Sequence, residues 1–230
     1  MLLLVYLPAQ SLLYLSASNS LGHFSVKHTY YVKELQMHWN IHSNSYLCKV
    51  NKKQDIFEAA LVLFVERGEQ STSMKCIAKK AQTGIGTMYN YFPSKDELIN
   101  ELYLLEKTNL FSHILASHDP SLPVKQQFSN TWHGAIDHAL SHPKEYKFLE
   151  LFAHSPKISK EVAEEVRNLF NPIIKIYEQG KKEGIIKNCD SHQLILFVNG
   201  AIRTSILGNP QITKQKIDTV ILMAWDAIKN

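Results

Sequence analysis

Residues 71–95 read STSMKCIAKKAQTGIGTMYNYFPSK, and their spacing decides how the chain is built. Met74, Ile77, Ala78 and Ala81 recur at i, i+3, i+4 and i+7, the period of one helical face, so Lys75, Lys79 and Lys80 face water. Gln82-Thr83-Gly84 breaks that pattern, with Gly84 expected to supply the positive φ of a tight turn. Ile85, Met88 and Phe92 then resume a helical spacing, which stops at Phe92-Pro93. Ser94-Lys95-Asp96-Glu97 is a Ser-x-x-Glu capping box that starts a further helix at once. Two short helices about a glycine-bearing turn form a helix-turn-helix, the geometry that lays a helix against DNA.

Working outward, Ile56, Ala59, Ala60, Leu63 and Phe64 form an apolar stripe ahead of this unit, and Gly68 is placed to end that helix as its C′ residue. Ser71 or Thr72 is expected to cap the next helix; Thr72 can be a plain cap, a phosphate ligand or both. ALVLFVERG (residues 60–68), TSMKCIAKKA (72–81) and GTMYNYFPSKDEL (86–98) together resemble the N-terminal domain of TetR-family transcriptional regulators. The resemblance is specific to about residue 98 and looser from there to residue 230. It implies a DNA-contacting set of Thr72, Gly84, Ile85, Thr87, Tyr89, Asn90 and Lys95. In that set Tyr89 and Lys95 would hold phosphates and Thr87 would reach a base or the backbone. Packing for Tyr89 and solvation for Lys95 are the alternatives. Where the family commonly shows Gly-Val-Ser-Lys-Gly, this chain has Gln82-Thr83-Gly84-Ile85-Gly86. The recognition helix holds no arginine for bidentate guanine contacts, whereas Ile85 and the Thr87 methyl suit thymine methyls, so an A·T-rich operator is expected.

The 230 residues are 45% hydrophobic and 20% charged, enough for one large domain or two small ones. The formal charge of +4 permits nucleic-acid binding without arguing for it; the clustered lysines carry more weight than the sum. Cys48, Cys76 and Cys189 are odd in number and far apart, which fits free thiols in the cytosol better than a disulfide framework; a redox switch at Cys76 is the alternative to an inert thiol. Residues 1–49 do not match the rest. MLLLVYLP lacks a basic leader, Pro8 interrupts it, and no apolar run is long enough to cross a bilayer. We expect this segment to be a mis-assigned start, with the family-like chain beginning near Val50, or a disordered tail.

Beyond Ser94, Leu98, Leu102, Leu105 and Ile114 continue one long helix, ended by turn chemistry at residues 118–123. Helices are then expected from Val124 to Leu140, Pro143 to His154, Ser159 to Gln179 with a kink at Pro172, Ser191 to Leu207, and Thr213 to Lys229. The fold class is therefore all-α: a three-helix DNA-binding domain at 50–98 and a helical bundle for ligand binding and dimerisation at 99–230. The last two helices are apolar on more than one face. Leu194, Phe197, Val198, Ala201 and Ile202, with Ile217, Val220, Ile221, Ala224 and Ile228, are the expected homodimer interface. Trp132, Phe148, Phe152, Phe170 and Tyr177, with Asn199 and Arg203 as polar anchors, are the expected ligand pocket, weighed against plain core. Arg203 has three readings: it neutralises an acidic ligand, pairs with Glu150 or Glu178, or snorkels.

Among eleven histidines, His138 and His142 share a helix face, but no HExxH, paired cysteines, nucleophile elbow or phosphate-cradling glycine loop accompanies them. Neither an enzyme nor a metal or cofactor site is expected. The sequence thus leads to a cytoplasmic, homodimeric repressor that binds a palindromic double-stranded operator and is released by an unidentified small-molecule effector, with no membrane partner. An activator or ligand-independent regulator of the same fold is the alternative, ahead of a secreted helical protein or a helical enzyme.

Overall fold

The computed structural model describes residues 52–207 and 211–230. The expectation about residues 1–49 lies outside them. Among the described residues the chain is helical throughout, and its one extended pairing is an isolated antiparallel bridge between Ile186 and Lys229.

Helix α1 covers residues 52–67. Its apolar stripe, Ile56, Ala59, Ala60, Leu63 and Phe64, is buried, and it ends at Gly68, whose φ of +76° lets its N–H reach the Phe64 carbonyl at 2.9 Å. Helices α2 (Met74–Lys80) and α3 (Ile85–Tyr91) follow, then the long α4 (Lys95–Leu115). At 1.5 Å per residue, α4 spans about 31 Å. Its start is the expected one, with the Ser94 hydroxyl accepting from Glu97 N–H at 3.1 Å. Helices α5 (Val124–Ser141) and α6 (Pro143–Phe152) come next. Gly134 lies where α5 crosses α4, since a Cβ there would stand 3.1 Å from the Ile114 Cα.

The single kinked helix expected over 159–179 is two helices, α7 (Lys160–Leu169) and α8 (Asn171–Lys182). Pro172 has no N–H to return to the preceding turn, so the ladder lapses at Phe170 and restarts with proline in the first turn of α8. Helices α9 (Ser191–Leu207) and α10 (Lys214–Ile228) complete the chain, and the C-terminus is tied back where Asn230 N–H donates to the Ile185 carbonyl at 2.9 Å.

The described residues belong to one compact unit, with core contacts on both sides of residue 98. One apolar cluster joins α1, α2, α3 and the first half of α4 to Phe148, Leu149 and Phe152 of α6 and Val166 of α7. The Phe64 ring stacks on Phe148 at 6.1 Å and meets Phe152 edge-on at 5.6 Å. A second cluster joins the last part of α4 to α5, α8, α9 and α10. Leu110 and Phe170 border both.

Candidate nucleic-acid interface and effector cavity

Helix α3 buries only Met88, which together with Phe92 anchors it in the first cluster. Apart from Tyr91, which packs partly against the same cluster, that economy leaves the rest of the helix available. Ile85 is 44% exposed and Tyr89 49% exposed, and Gly84, Gly86, Thr87 and Asn90 also face outward. On α2, Lys75, Lys79 and Lys80 are exposed, as the helical period requires. Between Ser71 and Lys95 there are four lysines and no acidic residue, and the three on α2 make its outer face positive. Cys76 is exposed on α2; the Ser73 side chain and backbone, and then the Arg67 and Lys79 charges, hold its thiol below the ordinary pKa.

Three expectations about this unit change. The residue with positive φ is Gln82, at +49°, whereas Gly84 is the extended N-cap of α3 at φ −69°, ψ 146°. Gln82 serves as the C′ residue of α2: its N–H reaches the Lys79 carbonyl at 3.3 Å and Thr83 N–H reaches Ala78 at 2.9 Å, a Schellman ending. The cap of α2 is Ser73, whose hydroxyl accepts from Cys76 N–H at 3.2 Å, rather than Ser71 or Thr72. Thr72 is 1% exposed and its hydroxyl donates to the carbonyls of Gly68 (2.8 Å) and Leu63 (3.2 Å), so it locks the end of α1 and does not face a phosphate.

Lys95 is likewise engaged within the fold. Its ammonium lies 2.5 Å from the Glu69 carboxylate and donates to the carbonyls of Glu69 (3.0 Å) and Thr72 (3.3 Å). Those partners account for its three donors and tie the start of α4 to the α1–α2 turn. A second brace runs from α4 to the segment before α7. Asn100 donates to the Lys157 carbonyl and accepts from Ser159 N–H, both at 2.8 Å, while Lys157 pairs with Asp96 at 3.1 Å.

Of the residues expected to line a pocket, Trp132, Phe170 and Asn199 surround a cavity of about 120 Å³ between α4, α5, α6, α8 and α9. Phe148 and Phe152 do not line it; they are buried in the first cluster against Phe64. Tyr177 is buried in the second cluster, where its hydroxyl accepts the Trp132 indole N–H at 3.1 Å. Arg203 reaches the cavity's edge through an ion pair with Glu150, the second of its three readings. The cavity's polar end adds Lys107 and Tyr146, which were not expected there, to Glu150. A signal existed: Lys107 falls at i+4 from Tyr103 and i−4 from Phe111, a charge on an apolar stripe.

The helices expected to form a dimer face divide differently. Leu194, Val198, Ile202, Ile221, Ala224 and Ile228 are buried inside the protomer, and Ile217 and Val220 pack partly against the same core. Of that set Phe197 (58% exposed) and Ala201 face outward. With them stand Leu196 (67%), Leu222 (48%) and Met223 (66%), apolar residues that no described residue covers. No described helix is long and apolar enough to cross a membrane, and no described cluster of His, Cys, Asp or Glu could hold a metal ion.

The family model described as "Bacterial regulatory proteins, tetR family" matches residues 56–102, and that described as "Tetracyclin repressor-like, C-terminal domain" matches residues 123–229. The HTH-type transcriptional regulator YhgD of Bacillus subtilis strain 168 is 30% identical over 155 residues, 65% of this chain and 78% of YhgD. The HTH-type transcriptional repressor KstR2 of Rhodococcus jostii RHA1 is 28% identical over 92 residues, 39% of this chain and 45% of KstR2. A tetR family transcription regulator from Shewanella sp. PV-4 superposes with a TM-score of 0.72 at 26% identity, covering 78% of this chain and 98% of its own. These relatives are transcription regulators rather than enzymes. The chain belongs to the TetR family of DNA-binding transcriptional regulators.

Proposed function

We propose that this regulator is a cytoplasmic homodimeric repressor that holds a palindromic operator through two copies of α3 and lets go when a small molecule enters the cavity. The observation that carries the reading is the course of α4. Leu98 near its start is packed with α2 and α3 in the first cluster, while Leu110, Phe111 and Ile114 near its end line the cavity. The Asn100 and Lys157 contacts join α4 to the α6–α7 segment, and Lys95 joins α4 to the α1–α2 turn of the head. A ligand that spreads the seam at Leu110 and Phe170 therefore tilts that assembly against α5 and α8–α10. With the outer face of α9 and α10 held by a partner, tilt alters the distance between the two reading heads, and one spacing fits successive grooves. The ligand shifts operator affinity only by its differential affinity for the two tilts, typically about 1–3 kcal/mol, or roughly 5–150-fold.

The reading head is proposed to use Tyr89 on a phosphate, Thr87 and Ile85 at base edges, and Asn90 and the bare backbone at Gly84 beside them. Selection of bound fragments from genomic DNA, followed by footprinting, tests this. A two-fold symmetric footprint is expected; Tyr89→Phe should weaken every sequence about equally, and Thr87→Ala should change the preferred bases. An asymmetric single-site footprint, or no enriched sequence, would remove the dimeric operator reading.

A further inference from the structure

We propose that the effector taken by this cavity is a small organic anion with a compact apolar body, an aromatic or branched carboxylate, whose charged head lies beside Lys107 at the polar end of the cavity. The inference rests on the cavity being the effector site and adds the chemistry that site selects.

Size sets the first limit. The cavity measures about 120 Å³, below the roughly 150 Å³ of an apolar cavity that holds benzene, so only a compact body fits, with its polar head at the cavity's edge or the seam spread to admit it. Its walls include Leu110, Phe111, Ile114, Trp132, Phe170 and Ile173, so the body of the ligand meets apolar and aromatic surface. The Phe170 ring meets Phe111 edge-on at 4.6 Å, which favours a flat or compact group beside it.

Charge sets the second. Lys107 lines the cavity with no hydrogen bond or ion pair among the described residues; its ammonium stands over the Tyr103 ring at 5.5 Å. Desolvation holds its pKa below the ordinary lysine value, with the Glu150 charge opposing that shift. The Arg203 guanidinium lies against Oε2 of Glu150, yet that oxygen is closed off from solvent and accepts no aligned hydrogen bond. Burial first, and then the same carboxylate, pushes the phenols of Tyr103 and Tyr146 up to about 12. The Glu150 carboxylate is thus taken by Arg203, and Lys107 is left without an anion at the edge of an apolar hole. A second carboxylate completes the balance and gives Lys107 the partner it lacks. A neutral ligand leaves the half-buried ammonium unpaired, and a cationic one adds a further positive charge.

The test is calorimetry on the full chain with benzoate, its neutral isostere benzamide, and benzylamine at matched ionic strength, each repeated on Lys107→Met, Lys107→Arg and Ala135→Leu. Ala135 lines the cavity, so leucine there occupies part of it. Benzoate is expected to bind at least tenfold more tightly than benzamide, and benzylamine not measurably. Lys107→Met should bring the benzoate-to-benzamide ratio near one, Lys107→Arg should keep it, and Ala135→Leu should weaken both; cooperative melting of each variant shows that it is folded. Benzamide binding as well as benzoate, with both weakened by Ala135→Leu, overturns the anion assignment and leaves the cavity as effector site. Benzoate binding untouched by Ala135→Leu overturns the cavity reading itself. Failure of benzoate, phenylacetate and 3-methylbutanoate alike to bind at millimolar concentration also overturns the proposal.

Discussion

Lys95 is the residue at which the fold and its resemblance to relatives pull apart, so its removal is the most informative perturbation. If it is a phosphate ligand, Lys95→Ala removes one counterion-releasing contact, and the slope of log affinity against log salt becomes shallower by about 0.9. If it is the brace seen here, the same change leaves the Glu69 carboxylate without its cation and frees the α1–α2 turn from α4. The side chains are 26% and 22% exposed, so the pair is neither buried nor fully solvated. Exposed pairs contribute about 0.2–1 kcal/mol, and hydrogen bonds to charged groups about 1.5–3 kcal/mol. A coupling of about 1–1.5 kcal/mol lies between those limits and is the expected value. Urea unfolding of wild type, Lys95→Ala, Glu69→Ala and the double variant measures that coupling as a double-mutant cycle. Operator affinity of the same four proteins over a salt series measures the slope. The brace predicts substantial coupling, parallel slopes, and a Glu69→Ala variant that loses operator affinity although it carries more positive charge. Coupling below about 0.3 kcal/mol with a shallower slope in Lys95→Ala would refute the brace and return Lys95 to the phosphates.

Gln82→Gly should stabilise the protein by roughly 0.5–1 kcal/mol, because φ +49° strains a residue with a Cβ and suits glycine; a lower urea midpoint would contradict the Schellman ending. Phe152→Ala should cost about 3–5 kcal/mol, since the ring is buried against Phe64 and Phe148 rather than lining the cavity; a loss under about 1 kcal/mol would place it elsewhere. Met223→Asp should convert a dimer to monomer in sedimentation and abolish operator binding while the protomer stays folded, given that Met223 is 66% exposed; an unchanged sedimentation coefficient would move the interface off α9 and α10. His138 is held down at about 4, first by burial and then by the charges of His142 and His113. Between its ordinary 6.5 and about 4 the unfolded chain binds the proton that the fold excludes, so stability falls as pH drops through that window, by up to about 1.4 kcal/mol per unit. Glu106, raised chiefly by burial, contributes with the opposite sign above 4.5. His138→Leu should flatten the acid limb of a stability-against-pH profile; an unchanged limb would exclude His138 as its source.

Period and punctuation carry most of the fold into the sequence. The α1 stripe ending at Gly68, the Ser94 capping box and the breakers at 118–123 act within one or two turns of chain, so local chemistry alone determines them. On α3 period alone groups Ile85 with Met88 and Phe92, of which only Met88 and Phe92 are buried, so the outward set rests on the family resemblance. Partners distant in sequence were not legible. Lys95 meets Glu69, and Phe64 meets Phe148 and Phe152, only once the helices are docked, and docking alone selects Glu150 among the readings open to Arg203. An apolar position also says that a side chain leaves water without saying into which contact. On α9 and α10 the periodic residues went to the protomer's own core, and Leu196, Phe197, Leu222 and Met223 were left outside. The aromatic residues divided in the same way. Phe148 and Phe152 join α6 to the DNA-binding head, Trp132 and Phe170 wall the cavity, and helix crossing rather than helix period decides which does which.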